Sequence, residues 1–133
     1  MIKKISHIKY SVFSLLLITC LLFSSALTAS AALTWKGTSL KAGAYHHFVD
    51  TDSDDFYRDT AVSVSHSIKY SQNVPSTVSA GYYANSKYTK KFSANGTKNM
   101  SSSYKVPTKT YFKFYIYNGS SNKITVSKMT VTF

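Results

Sequence analysis

Every acidic side chain of this chain lies in one short stretch, "DTDSDDFYRD": Asp50, Asp52, Asp54, Asp55 and Asp59, with no Glu anywhere. Carboxylates at alternate positions 50, 52 and 54 converge on a hard cation when the backbone curls into a loop. Calcium takes roughly six to eight oxygens at about 2.3–2.6 Å, and Asp55, Asp59 and backbone carbonyls would complete such a shell. Calcium is therefore the cofactor this stretch suggests. Two other readings stand beside it. Five like charges repel one another and stay solvated, or the anionic stretch docks on the Lys-rich surface of the same molecule or a neighbour.

The stretch starts like the calcium loop of a helix–loop–helix site and then departs from it. Asp55 stands where the sharp-turn glycine belongs, Arg58 at the ninth position, and Ala61 where a bidentate Glu is needed. No helical periodicity flanks it, which leaves a looser site in a β-loop.

A second group with usable chemistry is "YFKFYIY". At a period of two, Phe112, Phe114 and Ile116 share one face, and Tyr111, Lys113, Tyr115 and Tyr117 share the other. The Phe/Ile face suits a core. The tyrosine row suits a ligand, because phenol rings stack on sugars or bases while their hydroxyls tolerate water. Lys87, Lys90 and Lys91 of "KYTKK" would flank it. The competing reading is a cross-strand aromatic ladder that only stabilises the sheet.

The catalytic inventory is thin. His46 and His47 are adjacent, so on a strand they point to opposite faces. His66 falls on the apolar side of its strand with Val64 and Ile68. The Ser residues lack a nucleophile-elbow context, and one acidic loop is a poor frame for holding two carboxylates at a fixed separation. A non-enzymatic protein is expected.

The elements that must position these groups read as strands throughout residues 32–133. "AVSVSHSIKY" alternates strictly, with Val62, Val64, His66, Ile68 and Tyr70 on one side. "STVSAGYYA" puts Val78, Ala80 and Tyr82 together, "NSK" turns the chain, and "YTKKFSA" sets Tyr88, Lys90 and Phe92 against Thr89 and Lys91. Asn95-Gly96 is the strongest short hairpin signal, because a type I′ turn needs positive φ at both central residues. "NMSSSYKV" aligns Met100, Ser102, Tyr104 and Val106. In "KITVSKMTVTF" the apolar set changes parity between Val126 and Met129, so a β-bulge near Ser127-Lys128 is expected. With "LTWKG" and "AGAYHHFV", about eight short strands point to an all-β, antiparallel sandwich or barrel.

Upstream lies a different kind of segment. Lys3, Lys4 and Lys9 precede the apolar "SVFSLLLITCLLFSSAL" and the small-residue site Ala29-Ser30-Ala31. That order describes a secretory signal peptide, helical in its apolar part, over residues 1–31. Residues 32–133 then form a single domain, secreted and extracellular. Cys20 falls inside the leader, so no disulfide is expected. After the leader, twelve Lys and Arg58 stand against five Asp, a net +8. This favours anionic wall polymers or polysaccharide as partners. Lys rather than Arg makes the field diffuse; nucleic acid is not expected, nor a membrane span beyond the leader.

The layout resembles small secreted β-sandwich proteins of Gram-positive bacteria. More loosely, it is similar to accessory domains of the pre-peptidase C-terminal type. The carrying stretches are "LKAGAYHHFVDTDSDDFYRDTAVSVSHS" and "TYFKFYIYNGSSNKITVSKMTVTF". The resemblance implies a jelly-roll-like sandwich and a non-catalytic binding role on a cell envelope. A weaker likeness, carried by "TWKG" and "AYHH", links the chain to lactococcin 972-type bacteriocins and implies, as the alternative, a cationic antimicrobial acting on competitor envelopes.

Overall fold

The computed structural model describes residues 31–49 and 55–133. The leader, apart from Ala31, and Asp50, Asp52 and Asp54 lie outside the described residues. Nine strands follow one another: β1 Ala32–Leu40, β2 Tyr45–Phe48, β3 Phe56–Tyr57, β4 Ser63–Tyr70, β5 Val78–Ala84, β6 Lys87–Ser93, β7 Asn99–Lys105, β8 Tyr111–Asn118 and β9 Ile124–Thr132. They form two antiparallel sheets, β1-β9-β4-β7 and β2-β8-β5-β6, with β3 also on β8. Setting β3 aside, the first strand pairs with the last, the second with the second-last, and so inward to the β5–β6 hairpin. That nesting is a jelly roll. The expected all-β sandwich is the one observed, with a ninth strand.

Alternation explains the core. In β4, odd positions are exposed, while Val64, His66, Ile68 and Tyr70 are buried. Val64, Ile68 and Tyr70 meet Val78, Ala80, Phe112, Phe114 and Ile116 from the facing sheet in one apolar cluster. The bulge in β9 lies at the expected place. Lys69 pairs with Lys128 but Tyr70 pairs with Val126, so Ser127 is the extra residue. Ile124 and Val126 before it, and Met129 and Val131 after it, therefore all face inward.

His66 is fully buried between the sheets. Its Nδ1 hydrogen-bonds the Tyr104 hydroxyl at 2.7 Å, and its Nε2 meets no partner among the described residues. Phe92 and Phe114 enclose the ring at 5.1 and 5.4 Å. Burial lowers its pKa to about 3, so it is a neutral core residue at physiological pH. Asn118, also buried, closes β8. Its amide donates to the carbonyls of Leu40, Lys41 and Asn122 at 2.8–3.1 Å, and its Oδ1 accepts from Ser120.

One turn differs from expectation. Asn95-Gly96 makes no hairpin: only Gly96 has positive φ, and the chain there crosses from β6 in one sheet to β7 in the other. The Gly96 N–H donates to the Val74 carbonyl at 3.0 Å, tying the crossing to the β4–β5 loop. The turn expected at "NSK" is there: Asn85-Ser86, both at positive φ (50° and 58°), form a two-residue hairpin between the paired ends Ala84 and Lys87.

The acidic stretch occupies an interruption in an edge strand. Phe48 pairs with Phe114, and Phe56 pairs with Phe112. Eight residues of advance on one side thus match two on the other. The chain leaves the β8 ladder after one buried phenylalanine and rejoins it at another.

Candidate functional site

The outer face of the β2-β8-β5-β6 sheet is built from tyrosines. The register places Tyr45 and His47 of β2 opposite Tyr117 and Tyr115 of β8. On the other side of β8, Ser79, Gly81 and Tyr83 of β5 oppose Tyr117, Tyr115 and Lys113. β6 then adds Lys90 beside Gly81 and Tyr88 beside Tyr83. Gly81 is required at the centre, because a Cβ there would collide with the Thr89 carbonyl oxygen. The backbone of β6 thus closes tightly on Gly81, the residue that pairs with Tyr115.

Tyr45 and Tyr88 lean across from opposite edges and stack on each other at 4.0 Å. Together they roof Tyr115, at 5.7 and 4.9 Å, leaving it only 2 % exposed. Tyr117 stacks on Tyr45 at 4.4 Å, and the Tyr88 hydroxyl hydrogen-bonds His47 Nε2 at 2.8 Å. Against this cluster lies a shallow hollow of about 350 Å³, lined by Tyr45, Tyr88 and Tyr117 together with Ser79, Lys90 and Ser93.

The cluster has the electrostatics of a neutral donor surface. Burial, then the neighbouring Tyr45 and Tyr88, push the Tyr115 hydroxyl up to about 12. Burial, then Tyr45 and Tyr83, raise Tyr88. Both remain protonated well past neutral pH. His47 is lowered by burial and by Lys113, against an opposing pull from Asp55. A larger hollow of about 440 Å³ lies among loops, around Gln72, Asn73, Thr77, Ser120 and Asn122. It has no aromatic wall and so offers no stacking platform.

The tyrosine row expected on β8 does not act as one surface. Tyr111 is 65 % exposed at the far end, beside Tyr57 at 5.1 Å. Lys113 is engaged by Asp55 at 3.2 Å, Tyr115 forms the floor of the cluster, and Tyr117 reaches the hollow. Of the flanking lysines, Lys90 reaches it too. Lys91 does not: a bulge between the Ala80–Phe92 and Gly81–Lys90 pairs turns it toward the Tyr82 and Tyr104 rings, at 5.2 and 5.8 Å. The same bulge carries Phe92 inward while Tyr88 and Lys90 stay outward, correcting the simple alternation. Lys87 is exposed at the β5–β6 turn, opposite Ala84 and off the tyrosine face.

Tyr45, His47, Tyr83 and Tyr88 complete the site, although the sequence alone does not join them to the tyrosine row of β8. Each stands on a segment legible as a strand, but only pairing with distant segments brings them together. His46 and His47 do point to opposite faces. His46 packs on Phe48 at 4.7 Å, and its pKa is lowered by burial and then by His47.

Of the acidic set, Asp55 is ion-paired with Lys113, and Asp59, after burial, helps raise the pKa of the Tyr57 hydroxyl. Among the described residues no three His, Cys, Asp or Glu side chains come together as metal ligands. The alternate carboxylates 50, 52 and 54 fall outside those residues. No helix of the described residues is long and apolar enough to cross a membrane.

Comparison of the chain with protein-family models, with curated proteins and with solved structures finds no significant match in any of the three.

Proposed function

We propose that this domain is an exported, non-catalytic module that holds cell-envelope polysaccharide on the tyrosine face of the β2-β8-β5-β6 sheet. The observation that carries the reading is the hollow where the Tyr45, Tyr88 and Tyr117 rings meet Ser79, Ser93 and Lys90. A sugar ring is apolar on its C–H faces and polar at its rim. It needs aromatic planes for the first and hydroxyl or ammonium groups for the second. The surplus of lysine over aspartate speeds encounter with an anionic envelope without fixing the ligand. Chain-wide charge and local tyrosines thus have separate tasks, delivery and grip.

The test is retention on purified bacterial cell wall at 150 mM salt, chosen to screen the diffuse charge to about 8 Å. Tyr117→Ala and Tyr45→Ala should each weaken retention about tenfold, the loss of one aromatic contact worth roughly 1.4 kcal/mol. Tyr111→Ala, outside the hollow, should bind like the wild type. Retention indifferent to Tyr45 and Tyr117 would refute the assignment.

A further inference from the structure

The opposite face of the sandwich carries a second, chemically different surface. Outward positions of β1, β9, β4 and β7 lie in cross-strand rows. One row is Ala32–Thr132–Ser65–Ser103, and the next is Thr34–Thr130–Ser67–Ser101. The third is Lys36–Lys128–Lys69–Asn99. The three lysines of that row are exposed and stand directly opposite one another on adjacent strands. Like charges so placed destabilise a sheet. None of the strands of this sheet contains an acidic residue, so nothing within the row offsets the repulsion.

The bulge at Ser127 creates the arrangement. Without it Lys128 and Thr130 would continue the inward parity of Ile124 and Val126; with it they turn outward beside Lys69 and Ser67. Bulges that re-aim side chains recur next to binding sites. A hollow of about 280 Å³ lies at this point, lined by Ser67, Lys69, Asn99, Ser101, Lys128 and Thr130.

We propose that this face is a binding site for a linear, phosphate-bearing polyanion, held by the Lys36–Lys128–Lys69 row and the adjoining Ser/Thr hydroxyls. Neighbouring strands are about 4.8 Å apart, so the lysine backbones span about 10 Å, room for successive phosphate groups rather than one. A tetrahedral phosphate spreads its acceptor oxygens in several directions, matching a field of hydroxyl donors and point charges. Lysine binds phosphate as a point charge, without the bidentate fork that arginine offers carboxylates and phosphates alike, and this face carries no arginine. The site is independent of the tyrosine hollow, and the two would make the module bivalent.

The experiment titrates the purified protein with sodium polyphosphate at 150 mM salt and follows binding by calorimetry. The variant Lys36→Gln/Lys69→Gln/Lys128→Gln is compared with a charge-matched control, Lys41→Gln/Lys87→Gln/Lys123→Gln. The row variant should lose at least about tenfold in affinity, its salt dependence becoming shallower by about one per contacting lysine. The control should lose less than about threefold. Without ligand, the row variant should also melt higher than the wild type at low salt, because the like charges are gone. Equal losses in both variants, no binding by the wild type, or a row variant that melts lower would each overturn the proposal. Tyr117→Ala, expected to bind polyphosphate normally, separates failure here from failure of the saccharide reading.

Discussion

On the β2-β8-β5-β6 sheet the outer aromatic side chains close on one another; on the β1-β9-β4-β7 sheet the outer contacts are those of short hydroxyls, as between Ser39 and Thr125 at 3.2 Å. The first face gathers Tyr45, Tyr88 and Tyr117 over a buried Tyr115 and behaves as a small second core outside the sandwich. The second offers short hydroxyls and a lysine row with nothing to bury. Both obey the same alternation rule on their inner sides. The difference shows that strand periodicity decides which side chains leave the interior, while cross-strand neighbours decide what those side chains do outside. An aromatic face contributes to stability even without a ligand. A hydroxyl and lysine face contributes little, so its residues have little structural reason to be there.

The widest gap between the faces should appear on truncation. Tyr115→Ala removes a ring that is 2 % exposed and should cost about 3–5 kcal/mol, the range for large buried aromatics. Ser67→Ala on the other sheet should stay within about 0.5 kcal/mol. Urea unfolding of both variants measures the contrast. Comparable costs would mean that the tyrosine cluster is surface ornament and not a packed layer.

Acid acts on the interior the two faces share. His66 is held near a pKa of about 3 by burial, against 6.5 when exposed. Below pH 6.5 the unfolded chain takes up a proton that the folded one refuses. The stability tied to neutral His66 is therefore complete above pH 6.5 and is lost as pH falls toward 3, by about 1.4 kcal/mol per unit. His46 and His47, also lowered, act in the same direction. Melting curves from pH 7 to 4 should fall steeply for the wild type and less so for His66→Gln. Parallel curves would show that His66 is not the proton-refusing group.

The smallest effect belongs to the hairpin flanked by Tyr83 and Tyr88. Ser86 sits at φ 58°, where a Cβ costs about 1 kcal/mol or more and glycine does not. Ser86→Gly should stabilise the domain by up to about 1 kcal/mol in the same urea assay and leave wall retention unchanged. Weaker retention would instead mean that the turn's strain positions Tyr88.

Much of this architecture is legible in local pattern. The alternation around His66 gives β4, and the parity change after Val126 announces the β9 bulge, because both signals lie within one segment. What escapes is whatever depends on a partner strand. The Lys91 bulge arises from pairing with β5 across Gly81, so "YTKKF" by itself gives the wrong face to Phe92. β3 is a two-residue strand amid aspartates, too short to show a period, and exists because Phe56 fills a core position on the β8 edge. Asn95-Gly96 has hairpin chemistry but is used for a crossing between sheets. Tyr115 reads as exposed until Tyr45 and Tyr88, from remote segments, are laid over it.

The claim on which the account turns is that sugar is held at the tyrosine hollow. Backbone amide NMR during titration with a muramidase digest of purified, phosphate-free peptidoglycan addresses it directly. Shifts concentrated at Tyr45, Ser79, Tyr88 and Tyr117, with Ser67 and Lys128 unmoved, are the predicted result. No shifts, or shifts confined to the lysine row, would contradict it.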